Sequence, residues 1–401
     1  MGFTEVTEPI VTSNVFAEKM DKTNSLLATM VRQSSPSEIN WLLLEEYAHE
    51  GVFGNLYSWG DQFVDTWKDV VANQSYSFPW RLNHIGQYEL ADGEILENRP
   101  CLQLHYASPF GVQFSHPRAF LACPEGLSAG TYTIHFAQTW GKLTDLDWKF
   151  TLTQNVPAGG RLSGFQYMAD SVYTTRPVYS HSADGKTIIE TVEATKGIDG
   201  TDLGTLNYTT RNGNLNCMQE TFYGWNRWKY SALRQYLNSS AGVGNWWTAQ
   251  DAWDIAPDQL TTKAGFLSGC SEAMINAIKT VKVKTYVNTV QGGTSEDYDI
   301  TYDKVFLPSL EEMYINPQKA GEGDVHEYWI RRSGRTEPFE QYGTYPELIH
   351  YAVENHTSAQ FVRLRSATRG GSSYTWYVYS AGFVSDGNTY SSNRFAPIVV
   401  L

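Results

Sequence analysis

Charge is scarce in this chain, and cysteine is scarcer. Asp, Glu, Lys and Arg make up 18% of 401 residues, and the balance is acidic, 43 carboxylates against 30 cations. A net charge of −13 argues against non-specific nucleic-acid binding, which needs clustered Lys and Arg. It argues equally against an anionic membrane surface. No apolar run reaches membrane-spanning length, so no membrane insertion is expected. MGFTEVTEPIVTSN has no basic stretch followed by an apolar run, so it is not a secretory signal. The expectation is synthesis in a host cytoplasm and exit by lysis or within a larger particle. The four cysteines, Cys101, Cys123, Cys217 and Cys270, show no metal-ligand spacing. A chain this long has no need of a disulfide framework, so free or buried thiols are the default reading and disulfides the alternative.

Catalytic patterns are missing too. None of the nine His sits at HExxH or comparable spacing. Gly159-Gly160 lacks the Lys-Ser/Thr that completes a phosphate loop. His105 and His135 could meet across a sheet face, against the plainer reading of satisfied surface imidazoles. Glu89, Glu94 and Glu97 are spaced like hairpin surface charges, whereas a glycosidase needs two carboxylates at a fixed separation. No metal, cofactor or catalytic residue is assigned, and the expectation is a protein that is not an enzyme.

Aromatic residues are abundant, at 14%, which with the low charge indicates folded, β-rich, contact-making protein rather than disorder. The length allows two or three domains. Residues 1–60 read as helical. Phe16, Met20, Thr23, Leu27 and Met30 follow the seam of a short coiled coil, or else the apolar stripe of one amphipathic helix. In SSPSEINWLLLEEYAHEG, Ser35 suits the cap, Pro36 the first turn, Glu38 the capping box and Gly51 the stop. This segment reads as a docking or oligomerisation element.

Residues 61–200 read as an antiparallel β-sandwich. In Cys101–Tyr106, Leu102, Leu104 and Tyr106 alternate with Gln103 and His105. Thr131–Phe136 and Trp148–Leu152 alternate in the same way, with Asp92-Gly93 and Asp184-Gly185 as hairpin turns. The polar face would bind a sugar or simply meet water. From about Thr201 the pattern is mixed. Asn226 can cap a helix with Trp228, Ala232, Tyr236 and Leu237 on one stripe, and Ser271 a second with Met274, Ala277, Ile278 and Val281 at i, i+3, i+4 and i+7. Val281, Val283 and Val287 alternate with Lys282 and Lys284 as a strand. Tyr302–Leu307 reads as another strand, ending at Pro308, and Ser309-Leu-Glu-Glu312 as the capping box of a short helix. The frequent tryptophans here, Trp228, Trp246 and Trp329 among them, suit long loops pinned to a small sheet.

The stretch Phe361–Leu401 is different in composition. Between Ser372 and Asn393 lie six Ser and four Tyr in twenty-two residues. Tyr gives rigid amphipathic contact area, and Ser, Gly and Asn give adaptable hydrogen bonding, as in an antibody paratope. The same residues also make ordinary polar turns. Alternation that turns Trp376 and Val378 inward would turn Tyr377 and Tyr379 outward. The candidate ligand-binding set is Ser372, Ser373, Tyr374, Thr375, Tyr377, Tyr379, Phe383, Ser385, Asp386, Asn388, Tyr390, Ser391 and Asn393. Arg363, Arg365 and Arg369 are assigned to the scaffold's hydrogen bonding.

Several strings carry a resemblance: YGWNRWKYSALRQYLNS, NWWTAQDAWD, YDKVFLPSLEEMY, VRLRS and RFAP, with FPWRLNHIGQYEL, HYASPFGVQFS and TQNVPAGGRLSGF upstream. Together they resemble phage and prophage variable proteins whose C-terminal C-type-lectin-like domain is diversified by a retroelement, the major-tropism-determinant-like proteins. The resemblance covers most of the chain beyond about residue 60. It implies a C-type-lectin-like domain at 201–401 with a variable region at about 366–395; with the helical docking segment at 1–60 and the β-sandwich at 61–200 read from the residues above, the expectation is an α+β, multidomain protein. It implies a virion protein whose variable face binds a host-cell surface protein or glycan. The other expected partners are virion proteins and, with the heptad seam, two further copies in a homotrimer. Adenine-directed diversification cannot produce Lys, Glu, Gln, Met or Trp, and Phe361–Leu401 contains none of the first four. Its one Trp, Trp376, falls on the inward alternation. The calcium-dependent sugar strings Glu-Pro-Asn and Trp-Asn-Asp do not occur. The last cysteine is Cys270, which removes the cysteine pair that formylglycine-generating relatives of the fold require. The alternatives are a fixed structural head or tail component and a carbohydrate-active enzyme using the sandwich.

Overall fold

The computed structural model of the chain describes residues 40–115, 226–250, 256–287, 298–369 and 374–401, and between 116 and 225 the strands, residues 128–131 and Asn155. The first described helix, α1 (Trp41–His49), is capped by Asn40, whose side chain accepts from Leu43 N. Gly51 ends it at φ +67°, the left-handed stop expected of glycine. The expected cap at Ser35 and the seam from Phe16 to Met30 lie outside the described residues. A short α2 (Phe53–Leu56) follows.

Strands β1 (Gln62–Asp69), β2 (Gln74–Glu89) and β3 (Ile95–Leu104) form an antiparallel meander. Asp92-Gly93 makes the β2–β3 turn as expected, with Leu90 N donating to Glu94 O at 2.8 Å. The expected turn at Asp184-Gly185 lies outside the described residues. β4 (Ala119–Cys123), β5 (Gly130–Gln138), β6 (Leu146–Leu152), β7 (Gly160–Ser163), β8 (Tyr179–His181), β9 (Thr187–Val192), β10 (Thr209–Asn212) and β11 (Met218–Thr221) make two further sheets, ordered β10-β5-β6-β9-β8 and β11-β4-β7. β6 and β9 run parallel and the other pairs antiparallel.

Then come α3 (Ala232–Leu237), α4 (Glu272–Ala277), the hairpin β12 (Val281–Tyr286) and β13 (Tyr298–Asp303), α5 (Glu327–Ser333), and the pair β14 (His350–Tyr351) and β15 (Ala359–Gln360). β16 (Val362–Ala367), β17 (Tyr374–Val378), β18 (Val384–Asn388) and β19 (Arg394–Phe395) form a sheet ordered β18-β17-β16-β19. The last strand, β20 (Ile398–Val400), leaves that sheet and pairs antiparallel with β3. The protein is mixed α+β, mostly strand, with several antiparallel sheets. Residues 62–104 and 398–400 therefore share one sheet, while 119–221 pair among themselves in the other two.

Among the described residues, two apolar clusters hold the fold. One gathers Trp41 and Leu44 of α1, Trp67, Trp80 and Leu102 of the first sheet, Leu233 and Tyr236 of α3, Met274 of α4 and Val399 of β20. The other gathers Leu310, Met313, Trp329, Phe339 and Leu348 under Leu364, Trp376, Val378 and Val384. Each such side chain, fully buried, contributes about 1.5–3 kcal/mol.

Several local expectations are corrected. At β3 the expected polar face is not open. Gln103 is fully buried; its oxygen accepts from Asn83 Nδ2 at 2.5 Å and Arg81 at 3.3 Å, and its amide donates to Ala396 O at 3.2 Å. The segment before β20 covers it. His105 accepts from Arg81 at 3.0 Å on its Nδ1. Ser231, not Asn226, caps α3, accepting from Arg234 N at 3.1 Å. Ser271 caps α4 as expected, accepting from Met274 N at 3.1 Å. The strand expected at Tyr302–Leu307 sits earlier, at Tyr298–Asp303, because its partner β12 sets the register. The Ser309/Glu312 box forms, with Ser309 N donating to the Glu312 carboxylate at 2.9 Å and Glu312 N to Ser309 Oγ at 3.1 Å. It opens a hydrogen-bonded turn rather than a helix, because Tyr314 takes φ +59° and breaks the helical path.

Candidate functional site

The stretch that stands out in the sequence becomes the sheet β18-β17-β16-β19. Alternation places Leu364, Trp376, Val378 and Val384 inward, each no more than 1% exposed. Thr375 and Tyr377 take the opposite side, as the alternation predicts, yet Thr375 is fully buried and Tyr377 is only 7% exposed. The cause lies beneath them. The Arg363 guanidinium is buried there and donates to Thr375 Oγ1 at 2.6 Å, Gly387 O at 3.1 Å, Asn388 O at 2.8 Å and Ser391 O at 3.2 Å. The Tyr377 ring covers it, with the guanidinium carbon 5.5 Å from the ring centre. Burial lowers the Arg363 pKa to about 10, which leaves it charged at neutral pH. One hydroxyl and three backbone carbonyls take hydrogens from its two terminal nitrogens, while Nε has no partner, and the carbonyl bonds fix the 387–391 return.

Tyr377 also explains Gly387, its neighbour across the β17–β18 pair. A Cβ at Gly387 would lie 2.4 Å from the Tyr377 ring, so only glycine lets the ring lie flat there. From Tyr377 an aromatic ridge continues outward. Tyr379 lies 4.7 Å from Tyr377, Phe361 4.7 Å from Tyr379, and Phe383 5.7 Å from Tyr379, centre to centre. Phe361 is 40% exposed, and Tyr379 and Phe383 are half-buried. Burial, then the neighbouring Tyr379, raises the Tyr377 phenol well above its usual pKa, so it stays neutral.

The other candidates divide. Ser385 pairs with Tyr377 across the strands and is largely buried. Asp386 pairs with Trp376 and so belongs to the Trp376 side. It accepts from Thr368 Oγ1 at 3.2 Å and Tyr342 OH at 3.4 Å. Tyr374 and Asn388 face each other at the end of the same pair and are half-buried, as are Ser391 and Asn393. Tyr390 is 43% exposed. Ser372 and Ser373 lie outside the described residues. The pleat thus brings Tyr377, Tyr379 and Phe383 together on one side and sets Tyr374, Asp386 and Asn388 toward the other.

Three residues outside the predicted ligand-binding set bear on the candidate face. Phe361 opens the stretch and extends the ridge. Tyr342, 57% exposed, lies against Trp376 with ring centres 5.4 Å apart, and its loop position carried no periodic signal. Asn226 is fully buried, and its amide donates to Thr368 O at 3.1 Å and Tyr374 O at 2.9 Å. It ties together the two ends of the segment joining β16 to β17. The three arginines do belong to the scaffold: Arg365 donates to Leu307 O at 2.7 Å and Arg369 to Val287 O at 3.2 Å.

Among the described residues no group of three or more His, Cys, Asp or Glu is placed to hold a metal ion. Cys101 and Cys270 are free thiols. Among the described residues no helix is long and apolar enough to cross a membrane.

A strand-rich α+β protein with an aromatic ridge on a pinned terminal sheet is the class these features define. The chain belongs to the family described as a domain of unknown function, DUF6273, whose model matches residues 200–400 and so takes in every candidate residue. No curated protein and no solved structure matches the chain.

Proposed function

We propose that the chain is a non-enzymatic binding protein of a phage or prophage virion, presenting a Tyr- and Ser-rich face on a C-type-lectin-like scaffold diversified by a retroelement. The observation that carries this reading is the ridge of Phe361, Tyr377, Tyr379 and Phe383, with Tyr390 nearby in sequence, on a sheet whose reverse is sealed by Trp376 and Val378. Exposed aromatic side chains held by a rigid frame suit hot spots, because little side-chain entropy is lost on binding. The Arg363 hydrogen bonds support the reading further, since they hold the return loop through backbone atoms and leave its side chains free to differ. The partner is a host-cell surface protein or glycan, and the N-terminal segment serves docking to other virion proteins or a homotrimer.

The first test is deep sequencing of the region encoding residues 361–401 in a growing host population. Variation at Ser373, Tyr374, Tyr379 and Tyr390, with Trp376, Gly387 and Pro397 constant, is the expected result. The second is host-cell binding by purified Tyr379→Ala/Tyr390→Ala. Lost binding with an unchanged melting temperature supports the reading. Retained binding, together with an invariant stretch, sinks it in favour of a fixed structural component.

A further inference from the structure

The reverse of the terminal sheet is sealed as far as Trp376, and beyond it the packing opens. Trp376 is fully buried, while Asp386, its partner across β17 and β18, is half-buried. Tyr374 and Asn388 form the next pair on that side and are half-buried as well. Tyr374 is therefore a diagonal neighbour of Asp386, within reach of an aromatic side chain. A further wall comes from the loop between α5 and β14. There Tyr342, 57% exposed, lays its ring against Trp376 with centres 5.4 Å apart, and its hydroxyl donates to Asp386 Oδ1 at 3.4 Å. Tyr342 holds φ +59°, a left-handed backbone that an aromatic residue rarely adopts. Two backbone bonds to β18 keep it there, Tyr342 N to Val384 O at 2.9 Å and Val384 N to Gly343 O at 2.8 Å.

The Asp386 carboxylate lacks what other sheltered acids of this region have. Asp299 faces Arg227, Asp303 faces Arg234 and Glu312 faces Arg365. Asp386 accepts from two hydroxyls, Tyr342 on Oδ1 and Thr368 Oγ1 on Oδ2 at 3.2 Å, and among the described residues it makes no ion pair. Both bonds are long, since O–H···O contacts centre on about 2.7–2.8 Å. A carboxylate has about four lone-pair positions, so each oxygen keeps one to offer. Two open positions on one carboxylate match the fork of a guanidinium. The neighbouring rings extend the match, because guanidinium planes stack on aromatic faces. Burial, then the Asp386 charge, raises the Tyr342 and Tyr374 phenols above their usual pKa, so both rings stay neutral beside that charge. An anion would be repelled here, and a neutral sugar would leave the charge unanswered. A metal ion would find one carboxylate, with no cluster of ligands among the described residues.

We propose that this corner of the sheet receives an arginine side chain of a protein partner, with its guanidinium forked onto Asp386 and packed against the Tyr342 and Tyr374 rings. The inference rests on reading the terminal sheet as a binding surface, and it names a protein rather than a glycan as the partner.

The test is a ligand-observed NMR titration of the full chain with N-acetylarginine amide. The citrulline analogue, equal in shape but uncharged, the lysine analogue and a neutral monosaccharide are run beside it. Saturable binding of the arginine probe is expected, with each of the others weaker by about tenfold or more. Asp386→Asn should weaken the arginine probe by about tenfold or more. Tyr342→Gly, which suits the left-handed turn and removes the ring, should weaken it too and carries the test if Asp386→Asn melts early. The proposal is overturned if the arginine probe fails to bind at about 10 mM, or if any of the three controls binds as well. It is also overturned if both variants bind like the parent. Host-cell binding of the same proteins separates the two readings. Cells that bind parent and Asp386→Asn alike, with no arginine binding, sink this inference alone. An arginine probe that binds a chain to which host cells do not adhere sinks the virion reading and leaves the arginine site standing.

Discussion

Arg365 and Glu312 meet as a buried bidentate ion pair, the arginine 1% and the glutamate 7% exposed. The same guanidinium donates to Leu307 O and Glu322 O, so one side chain of β16 fastens the turn after Ser309 and the loop 321–326. Burial is the largest single influence and would lower its pKa, but the Glu312 charge and hydrogen bonds, with smaller contributions from other carboxylates, together outweigh it and raise it.

Glu312→Gln should therefore be costly, because it strands a buried guanidinium. A loss of about 3–5 kcal/mol is expected in urea unfolding. Arg365→Met combined with Glu312→Leu should cost less than either single change, since no unpaired charge remains. A double variant worse than both singles would contradict this.

The tyrosines of the candidate face should separate by burial. Tyr377→Ala opens a hole over Arg363 and should cost about 3–5 kcal/mol, as other buried aromatic truncations do. Tyr390→Ala, at an exposed position, should stay within about 0.5 kcal/mol. Chemical denaturation of the two variants decides it.

Asn226 should matter out of proportion to its size. Asn226→Ala removes the side-chain donor from the Thr368 carbonyl and leaves the Tyr374 carbonyl with Thr368 N, at a cost of about 1–3 kcal/mol. Asn226→Asp, nearly the same shape, should do no better, because a carboxylate cannot donate to a carbonyl. Hydrogen exchange across 366–376 should rise in both variants, and an unchanged pattern would show that the clamp is idle.

Stability should peak near pH 6.5. Burial holds His105 and His350 down to about 3 from 6.5, so their contribution is complete above pH 6.5 and fades as pH falls toward 3. Glu322 runs the other way. Raised by burial from 4.5 to about 8, it contributes fully below pH 4.5 and loses that contribution as pH rises to 8. From pH 6.5 to 8 Glu322 is the only one of these three still changing, with a slope of at most about 1.4 kcal/mol per pH unit. Urea unfolding across pH should show this alkaline decline, and Glu322→Gln should flatten it.

Much of this fold could be read from local chemistry. The Gly51 stop, the Ser271 cap, the Asp92-Gly93 turn and the Val281/Val283 alternation depend on neighbours within a few residues, and each formed where expected. Two of the misreadings come from contact between distant segments. Gln103 looks like a surface residue until the segment before β20 covers it. Asn226 looks like a cap until the terminal sheet supplies two carbonyls. At the candidate site, alternation correctly gave the two sides of β17, but it could not reveal that Arg363 and Gly387 make Tyr377 a packed residue. The cleft lined by His84, Lys282, Glu312, Asp324, His326 and Arg365 left no trace in the sequence, because its walls come from stretches far apart in the chain.

The pairing of β20 with β3 joins residues 295 to 299 apart, from Gln103 with Ile398 to Cys101 with Val400. At about 5–20 residues per second, the ribosome needs roughly 15–60 s to deliver the partner once β3 has emerged. Throughout that interval one edge of β3 carries open backbone donors and acceptors beside Leu102 and Leu104, a template for any passing strand. The nascent chain is therefore most prone to aggregate before its last strand is made, and chaperone demand in the producing cell should scale with that delay.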